Sequence, residues 1–155
     1  MKKLILAVVA TAVLGAAPAL AGAQQAVAYV DDIKPLMERR CYACHGEYSP
    51  TFEMFDADKE KYAAMMVGPR LNSYEQMLIV VSGDEAGALM RRLDDGANTP
   101  DGQPGNMYRH LGNNDDERSR NLQLFKNWVG HWTLKRAAEL TDEDRGQFKV
   151  LERRN

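Results

Sequence analysis

The stretch "ERRCYACHGEY", residues 38–48, contains both cysteines of the 155-residue chain and one of its three histidines. Cys41 and Cys44 are separated by two residues, and His45 follows directly. This spacing is compatible with a redox disulfide, with part of a zinc site or with covalent attachment of haem. The compartment in which the chain works helps to decide among them, and the amino terminus carries that information.

The amino terminus has the three-part pattern of a secretory signal peptide. Lys2 and Lys3 give a short basic start, residues 4–17 are an apolar run, and small residues follow. The run is shorter than the roughly 20 residues that a membrane-spanning helix needs. We therefore predict that residues 1–23 are removed, with cleavage after Ala23 or alternatively after Ala21. The mature protein is expected to be periplasmic or secreted, with no membrane span.

The length and the net charge of the remaining chain limit how many domains it can form and which partners it can bind. Residues 24–155 are enough for one modest domain with a hydrophobic core. Removal of Lys2 and Lys3 with the leader changes the formal net charge from −2 to −4. A nucleic-acid-binding protein would show a basic stripe, so this mild acidity argues against nucleic acid as a partner.

The pair of cysteines fits neither a stabilising disulfide nor a zinc site. A disulfide across two residues closes almost no loop, and the flanking sequence lacks the strand–helix unit of a thioredoxin-type motif. A structural zinc ion needs four ligands, whereas Cys41, Cys44 and His45 supply three, with no second cluster in the chain.

Covalent haem attachment explains the spacing best. On a helical turn, residues i and i+3 lie on one face. Cys41 and Cys44 can therefore form thioethers with the two haem vinyl groups, and His45 can offer an imidazole nitrogen to the iron. We predict one covalently bound haem c.

The pattern of apolar residues and caps predicts an all-α domain. An apolar stripe of Ile33, Leu36 and Met37 indicates a helix over residues 31–45 that ends in the cysteine motif. Four further helices are predicted over residues 58–66, 73–82, 84–93 and 114–140. Ser73 and Gln76 form a possible capping box for the second of these, and Asn114 and Glu117 do the same for the last. In that last helix we expect Leu122, Phe125, Val129 and Trp132 to form one face.

The sixth ligand of the iron must come from the remaining methionines or histidines. Met77 and Met90 stand at apolar helical positions and are expected to be core, whereas Met65 and Met66, beside a glycine–proline turn, stay possible. Met107 lies in the loop 94–114, which is rich in glycine, proline and asparagine. Iron ligation gives such a methionine a reason to be ordered, so Met107 is the preferred ligand. The alternative is His110, which would give a bis-histidine haem of lower potential.

Four motifs in this order resemble the class I cytochrome c family. They are "CYACHG" (41–46), "SGDEAGALMRRL" (82–93), "PGNM" (104–107) and "FKNWVG" (125–130). The resemblance covers roughly residues 30–132. It implies a small helical domain wrapped around one covalent haem, with its N- and C-terminal helices packed together. We assign residues 24–132 to this domain and residues 133–155 to a C-terminal helical extension, within which Thr141 and Asp144 stand in capping relation.

The resemblance also implies roles for single residues. In the family a methionine on a late loop binds the haem face opposite the histidine, which corresponds to Met107, although Tyr108 stands here where the family usually has proline. Pro69 corresponds to the proline whose carbonyl oxygen orients the proximal histidine. Arg70 corresponds to a residue that pairs with a haem propionate, and a solvated surface charge is the equal alternative for it.

The function implied is that of a one-electron carrier and not of an enzyme. Its partners would be a redox protein that donates the electron and another that accepts it, neither identified. One alternative is a five-coordinate haem protein that binds a gas or performs peroxidase-like chemistry, for which the distal position must be open. Helical-bundle cytochromes of that type carry the haem motif near the C-terminus, whereas here it begins at residue 41. A second alternative is a haem subunit that works only inside a larger redox complex.

Overall fold

The computed structural model describes residues 25–154, so the predicted leader lies outside the described part of the chain. The regular elements of this range are all helical, which confirms the predicted all-α fold. In chain order they are a π-helical turn Tyr29–Ile33, α1 (Lys34–Arg40), α2 (Tyr42–His45), α3 (Phe52–Ala57), α4 (Lys59–Ala64), α5 (Tyr74–Val81), α6 (Ala88–Leu93), a 3₁₀ turn Tyr108–Leu111, α7 (Asp115–Val129), a 3₁₀ turn Ala137–Glu139 and α8 (Asp142–Gly146). None of the helices within residues 25–154 is long and apolar enough to cross a membrane.

The predicted first helix is present but segmented. Its first turn is π-helical, and the Asp32 carboxylate accepts a hydrogen bond from the backbone N–H of Ala28 at 2.8 Å. Pro35 stands in the first turn of α1, where a missing N–H costs nothing. The helix bends at Cys41, whose φ of −119° separates α1 from α2. The expectation of one continuous helix over residues 31–45 was therefore wrong in this detail.

The core lies between the N-terminal turns and α7. Ile33, Leu36 and Met37 are buried, as their stripe predicts. The rings of Tyr29 and Trp128 lie 6.0 Å apart, at the contact between the first turn and α7. The N- and C-terminal helices are thus packed together, as expected. Four of the largest core side chains come from α5, α6 and α7: Met77, Met90, Phe125 and Trp128.

Helix α7 ends eleven residues earlier than the sequence predicts. It stops at Val129 because Gly130 takes a φ of 79°, in the left-handed region that ends helices. Trp132 therefore does not continue the helical face. It lies beyond the helix, and its indole N–H donates to Asp94 Oδ2 at 2.9 Å.

Helices α3 and α4 form a short hairpin between the cysteine motif and Pro69. Helix α4 was expected, and Asp58 caps it. Helix α3 was not expected; Thr51 caps it, its side-chain oxygen accepting from the backbone N–H of Met54. The rings of Phe55 and Tyr62 stack at 6.0 Å and hold the two helices together.

The tail, residues 133–154, returns across the domain. Thr141 and Asp144 form the capping box of α8. Beyond α8 the chain is extended, and the carbonyl oxygen of Leu151 accepts from the backbone N–H of Tyr29 at 2.8 Å and from the Trp128 indole at 2.9 Å. The tail thereby bridges the first turn and α7, while the domain boundary at residue 132 stays a prediction.

Candidate haem site

The cysteine motif forms a tight helical turn. The backbone N–H groups of Cys44 and His45 donate to the carbonyl oxygen of Cys41 at 3.1 and 2.9 Å. A Cβ atom on Gly46 would lie 2.4 Å from the carbonyl oxygen of Tyr42, so only glycine can follow the turn at that position. The two cysteines are not joined by a disulfide, and Cys44 is exposed while Cys41 is half-buried.

The protonation state of Cys41 differs from that of a redox cysteine. Burial raises the pKa of its thiol to about 11, and the nearby charge of Arg40 opposes this rise only in part. Reactive redox cysteines instead have lowered pKa values. Within residues 25–154, no three or more His, Cys, Asp or Glu side chains form a metal-binding group.

His45 is held by the loop that carries Gly68 and Pro69. Its Nδ1 lies 2.8 Å from the carbonyl oxygen of Pro69. A carbonyl can only accept, so Nδ1 carries the proton and Nε2 keeps its lone pair. A Cβ atom on Gly68 would lie 2.1 Å from His45 Cε1, so the backbone of Gly68 packs directly on the ring. Backbone bonds from Gly68 N to Cys44 O and from Leu71 N to His45 O, both 2.9 Å, align the loop with the turn.

The surroundings keep the imidazole neutral. Burial lowers the pKa of His45, the hydrogen bond to Pro69 opposes this effect, and the charge of His110 lowers the pKa again. A neutral imidazole with a free Nε2 lone pair is the form that binds iron.

Met107 precedes that turn. Its side chain is half-buried and packs against the core, whereas His110 is exposed. Residues 104–109 line a pocket of about 290 Å³ beside Met107. Arg109 Nε donates to His110 Nε2 at 3.1 Å, so the lone pair of that ring nitrogen is already engaged. The two candidate ligands therefore lie three residues apart on one segment, Met107 half-buried and His110 exposed.

The remaining residues proposed from the sequence, Arg70, Met65 and Met66, have the following surroundings. Arg70 is half-buried, and its Nε donates to the carbonyl oxygen of Ser49 at 3.0 Å. Met65 and Met66 are 57% and 81% exposed in the segment after α4. The third histidine of the chain, His131, is half-buried, and its Nε2 lies 3.0 Å from Asp144 Oδ1.

Sequence reasoning predicted a turn at Gly68 but missed its packing on the ring of His45, and it missed the hydrogen-bonding role of Asp94. Gly68 gives a usable signal, because a glycine before a proline indicates close approach or a turn. Asp94 follows α6 in the sequence Asp-Asp-Gly, which is typical of an Asx turn. No local sequence pattern predicts that the Asp94 carboxylate accepts a hydrogen bond from Trp132, 38 residues later.

The residues fit a covalently held haem. The turn offers two thiols three residues apart, and the next residue offers an imidazole whose Nε2 is free. The hydrogen side chain of Gly68 leaves room for the ring to keep this orientation. The half-buried thioether of Met107 packs against the hydrophobic core just before the 3₁₀ turn Tyr108–Leu111.

Comparisons with known proteins agree with this chemistry. The family model "PccH Cytochrome c" matches residues 28–152. The solved structure of the monohaem cytochrome PccH from Geobacter sulfurreducens is 44% identical, with a TM-score of 0.77; the match covers 82% of this chain and 99% of that one. No curated protein sequence matches the chain significantly. The chain therefore belongs to the PccH cytochrome c family, and it carries one covalently bound haem c.

Proposed function

We propose that the protein is an exported one-electron carrier whose haem iron is bound by His45 and Met107. Monohaem cytochromes c typically transfer electrons, and the family supports that broader statement. The assignment of His45 as a ligand rests on the hydrogen bond from its Nδ1 to Pro69 O at 2.8 Å. This bond leaves Nε2 free for the iron. When bound, the haem supplies an iron that changes by one electron between its ferrous and ferric states.

The chain's own residues attach and orient the group. In this proposal the thiols of Cys41 and Cys44 form the thioethers, and Pro69 and Gly68 fix the ring of His45. A carbonyl that accepts from the other ring nitrogen makes the imidazole a more basic ligand and holds its tautomer. Arg70, anchored through Nε to Ser49, would offer its remaining N–H groups to a haem propionate.

Met107 is the proposed sixth ligand because its thioether is half-buried beside a pocket on an anchored loop. Methionine ligation raises the potential relative to bis-histidine ligation. The exposed His110, engaged with Arg109, is the competing ligand.

Export and partners complete the proposal. Residues 1–23 would direct the chain to the periplasm or outside the cell, where redox proteins donate and accept the electron. The intact mass of protein purified after export tests this: it should equal residues 24–155 plus one haem. A mass that includes residues 1–23 would contradict the cleaved leader.

The ligand proposal is tested by the absorption spectrum of Met107→Ala. The oxidised protein should lose the weak long-wavelength band of methionine–iron ligation, and its reduction potential should fall. Met65→Ala, which removes an exposed methionine, is the control and should leave both unchanged. A wild-type protein that is low-spin without the methionine band would favour His110, and a high-spin spectrum would favour an open iron and a gas-binding or enzymatic role.

A further inference from the structure

Asp94 is a buried carboxylate at the base of the loop that carries Met107. It follows α6 directly and is 0% exposed. A charge removed from water is retained only where hydrogen bonds replace its hydration. The partners of Asp94 therefore indicate what the residue holds in place.

Four hydrogen bonds reach its two oxygens. Oδ1 accepts from the backbone N–H groups of Gly96 at 2.9 Å and Asn98 at 3.1 Å. Oδ2 accepts from the side-chain amide of Asn98 at 2.7 Å and from the indole of Trp132 at 2.9 Å. Burial raises the pKa of this carboxyl, but the hydrogen bonds outweigh burial and hold the pKa below its usual value. The group is therefore an anion at neutral pH, with N–H donors on both oxygens.

The loop returns to the same point before it reaches Met107. The backbone N–H of Gly105 donates to Asp94 O at 2.8 Å, and that of Met107 donates to Arg92 O at 2.9 Å. A Cβ atom on Gly105 would lie 2.4 Å from the carbonyl oxygens of both Arg91 and Arg92, so this closure is tight. Residues 95–104 thus form a loop that begins and ends at Asp94, and Met107 follows two residues after it closes.

We propose that Asp94 is a positioning residue for Met107: by bonding the loop to itself and to Trp132, its carboxylate opposes detachment of the methionine sulfur from the iron. The inference rests on the proposed function, because it takes Met107 as the ligand.

An added ligand can measure this effect. Imidazole binds the ferric iron only where the methionine has left, so its apparent affinity is proportional to the fraction of molecules in the open state. Asp94→Asn keeps the shape of the side chain but puts an NH₂ group against N–H donors. The variant should loosen the loop and increase the affinity for imidazole.

The experiment is an imidazole titration of the oxidised, haem-loaded protein. Asp94→Asn should bind imidazole at least about tenfold more tightly than wild type, which corresponds to about 1.4 kcal/mol. Trp132→Phe, which removes one donor and keeps an aromatic ring, should shift the affinity in the same direction by a smaller factor.

Two controls separate positioning from general stability. Asp95→Asn changes the neighbouring exposed carboxylate, whose contacts are one longer bond from the Ala97 N–H at 3.3 Å and a 3.7 Å pair with Lys126. Ser73→Ala weakens α5 without touching the loop. Both should bind imidazole within about twofold of wild type. Wild-type affinity in Asp94→Asn and Trp132→Phe, together with intact methionine ligation, would overturn the proposal. If Asp94→Asn does not fold, Trp132→Phe decides.

A second readout is independent of the ligand assignment. Backbone hydrogen exchange at Gly105 and Met107 should be faster in Asp94→Asn than in Asp95→Asn. If wild type lacks methionine ligation, the proposed function fails, and this comparison alone tests whether Asp94 holds the loop. Equal exchange rates in the two variants would refute that role.

Discussion

Gly68 is required by space and not by backbone angle. Among the described residues, the positive-φ glycines are Gly87, Gly96, Gly102 and Gly130. Gly68 is not one of them, yet a Cβ atom there would lie 2.1 Å from the ring of His45. The backbone of the loop can thus approach the imidazole only because the side chain is a hydrogen atom. The orientation of His45 therefore depends on this contact as well as on the bond to Pro69.

Gly68→Ala should displace the imidazole and break its bond to Pro69. Overpacking of this kind typically costs about 1–3 kcal/mol. We expect a corresponding loss in the free energy of unfolding and an altered spectrum of the haem-loaded protein. Denaturant unfolding and absorption spectroscopy measure the two effects. Gly146→Ala is the control, because a Cβ atom there meets nothing within 4 Å. Equal behaviour of the two variants would show that the ring tolerates the methyl group.

At the scale of elements, α5 begins with a complete local signal. The Ser73 hydroxyl accepts from the backbone N–H of Gln76 at 3.3 Å, and Gln76 Oε1 accepts from that of Ser73 at 3.2 Å. The capping box predicted from the sequence is confirmed. Because Met77 and Val81 of this helix are fully buried, its start also fixes part of the core.

Ser73→Ala should destabilise the protein by about 1 kcal/mol, the usual cost of losing an N-cap side chain. The change should lower the midpoint of urea unfolding and leave its slope unchanged. Ser119→Ala provides a matched control, since Ser119 is exposed in the interior of α7 and caps nothing. Its midpoint should stay near that of wild type. A Ser73→Ala midpoint no lower than that of Ser119→Ala would mean that the cap contributes no stability.

The helix caps and Trp132 together show which features of an element can be predicted from the sequence. Caps such as Ser73 and Thr141 act within four residues, so the pattern contains their whole cause. Trp132 misled the prediction because its spacing from Val129 fits a helical face. The left-handed Gly130 ends α7 there, and the Val129 carbonyl accepts instead from the backbone N–H of Lys149 at 2.9 Å. A contact with a residue 20 positions later has no local signal.

The candidate site also has a part that is predictable from a short motif and a part that depends on tertiary contacts. Cys41, Cys44 and His45 form a motif that is complete in five residues, and their turn has the expected helical form. The anchor of Met107 depends on Arg92, Asp94 and Trp132, which only the folded chain brings together. The sequence therefore indicates which residues to consider on that loop, and the tertiary contacts show how they are held.

For the whole molecule, the tail connects the beginning and the end of the chain. The Arg154 guanidinium pairs with the Asp32 carboxylate, and its backbone N–H donates to Asp31 Oδ2 at 3.1 Å. The Tyr74 hydroxyl donates to the carbonyl oxygen of Val150 at 2.7 Å. The tail is thus bonded to both the first turn and α5. Helix α1 follows directly after the turn that the tail binds. We therefore expect loss of the tail's contacts to destabilise the haem-binding turn at the end of α1 as well.

Asp144 makes the tail's contribution dependent on pH. Its carboxylate accepts from Lys135 Nζ at 2.8 Å and from the backbone N–H and hydroxyl of Thr141, both at 2.9 Å. These bonds hold the pKa of the Asp144 carboxyl far below its usual value, and the bond to His131 lowers that pKa slightly further. A lowered folded-state pKa stabilises the protein above the unfolded-state pKa of about 3.9, and this stabilisation is lost as the pH falls through the folded-state value. Asp144→Asn should therefore unfold at a lower temperature than wild type at neutral pH, and the gap should narrow as the pH falls below about 4. Thermal unfolding across this range measures the gap, with the exposed Asp142→Asn as the control that should show a smaller one. A gap that stays constant into strong acid would mean that the ionised carboxylate is not what anchors the tail.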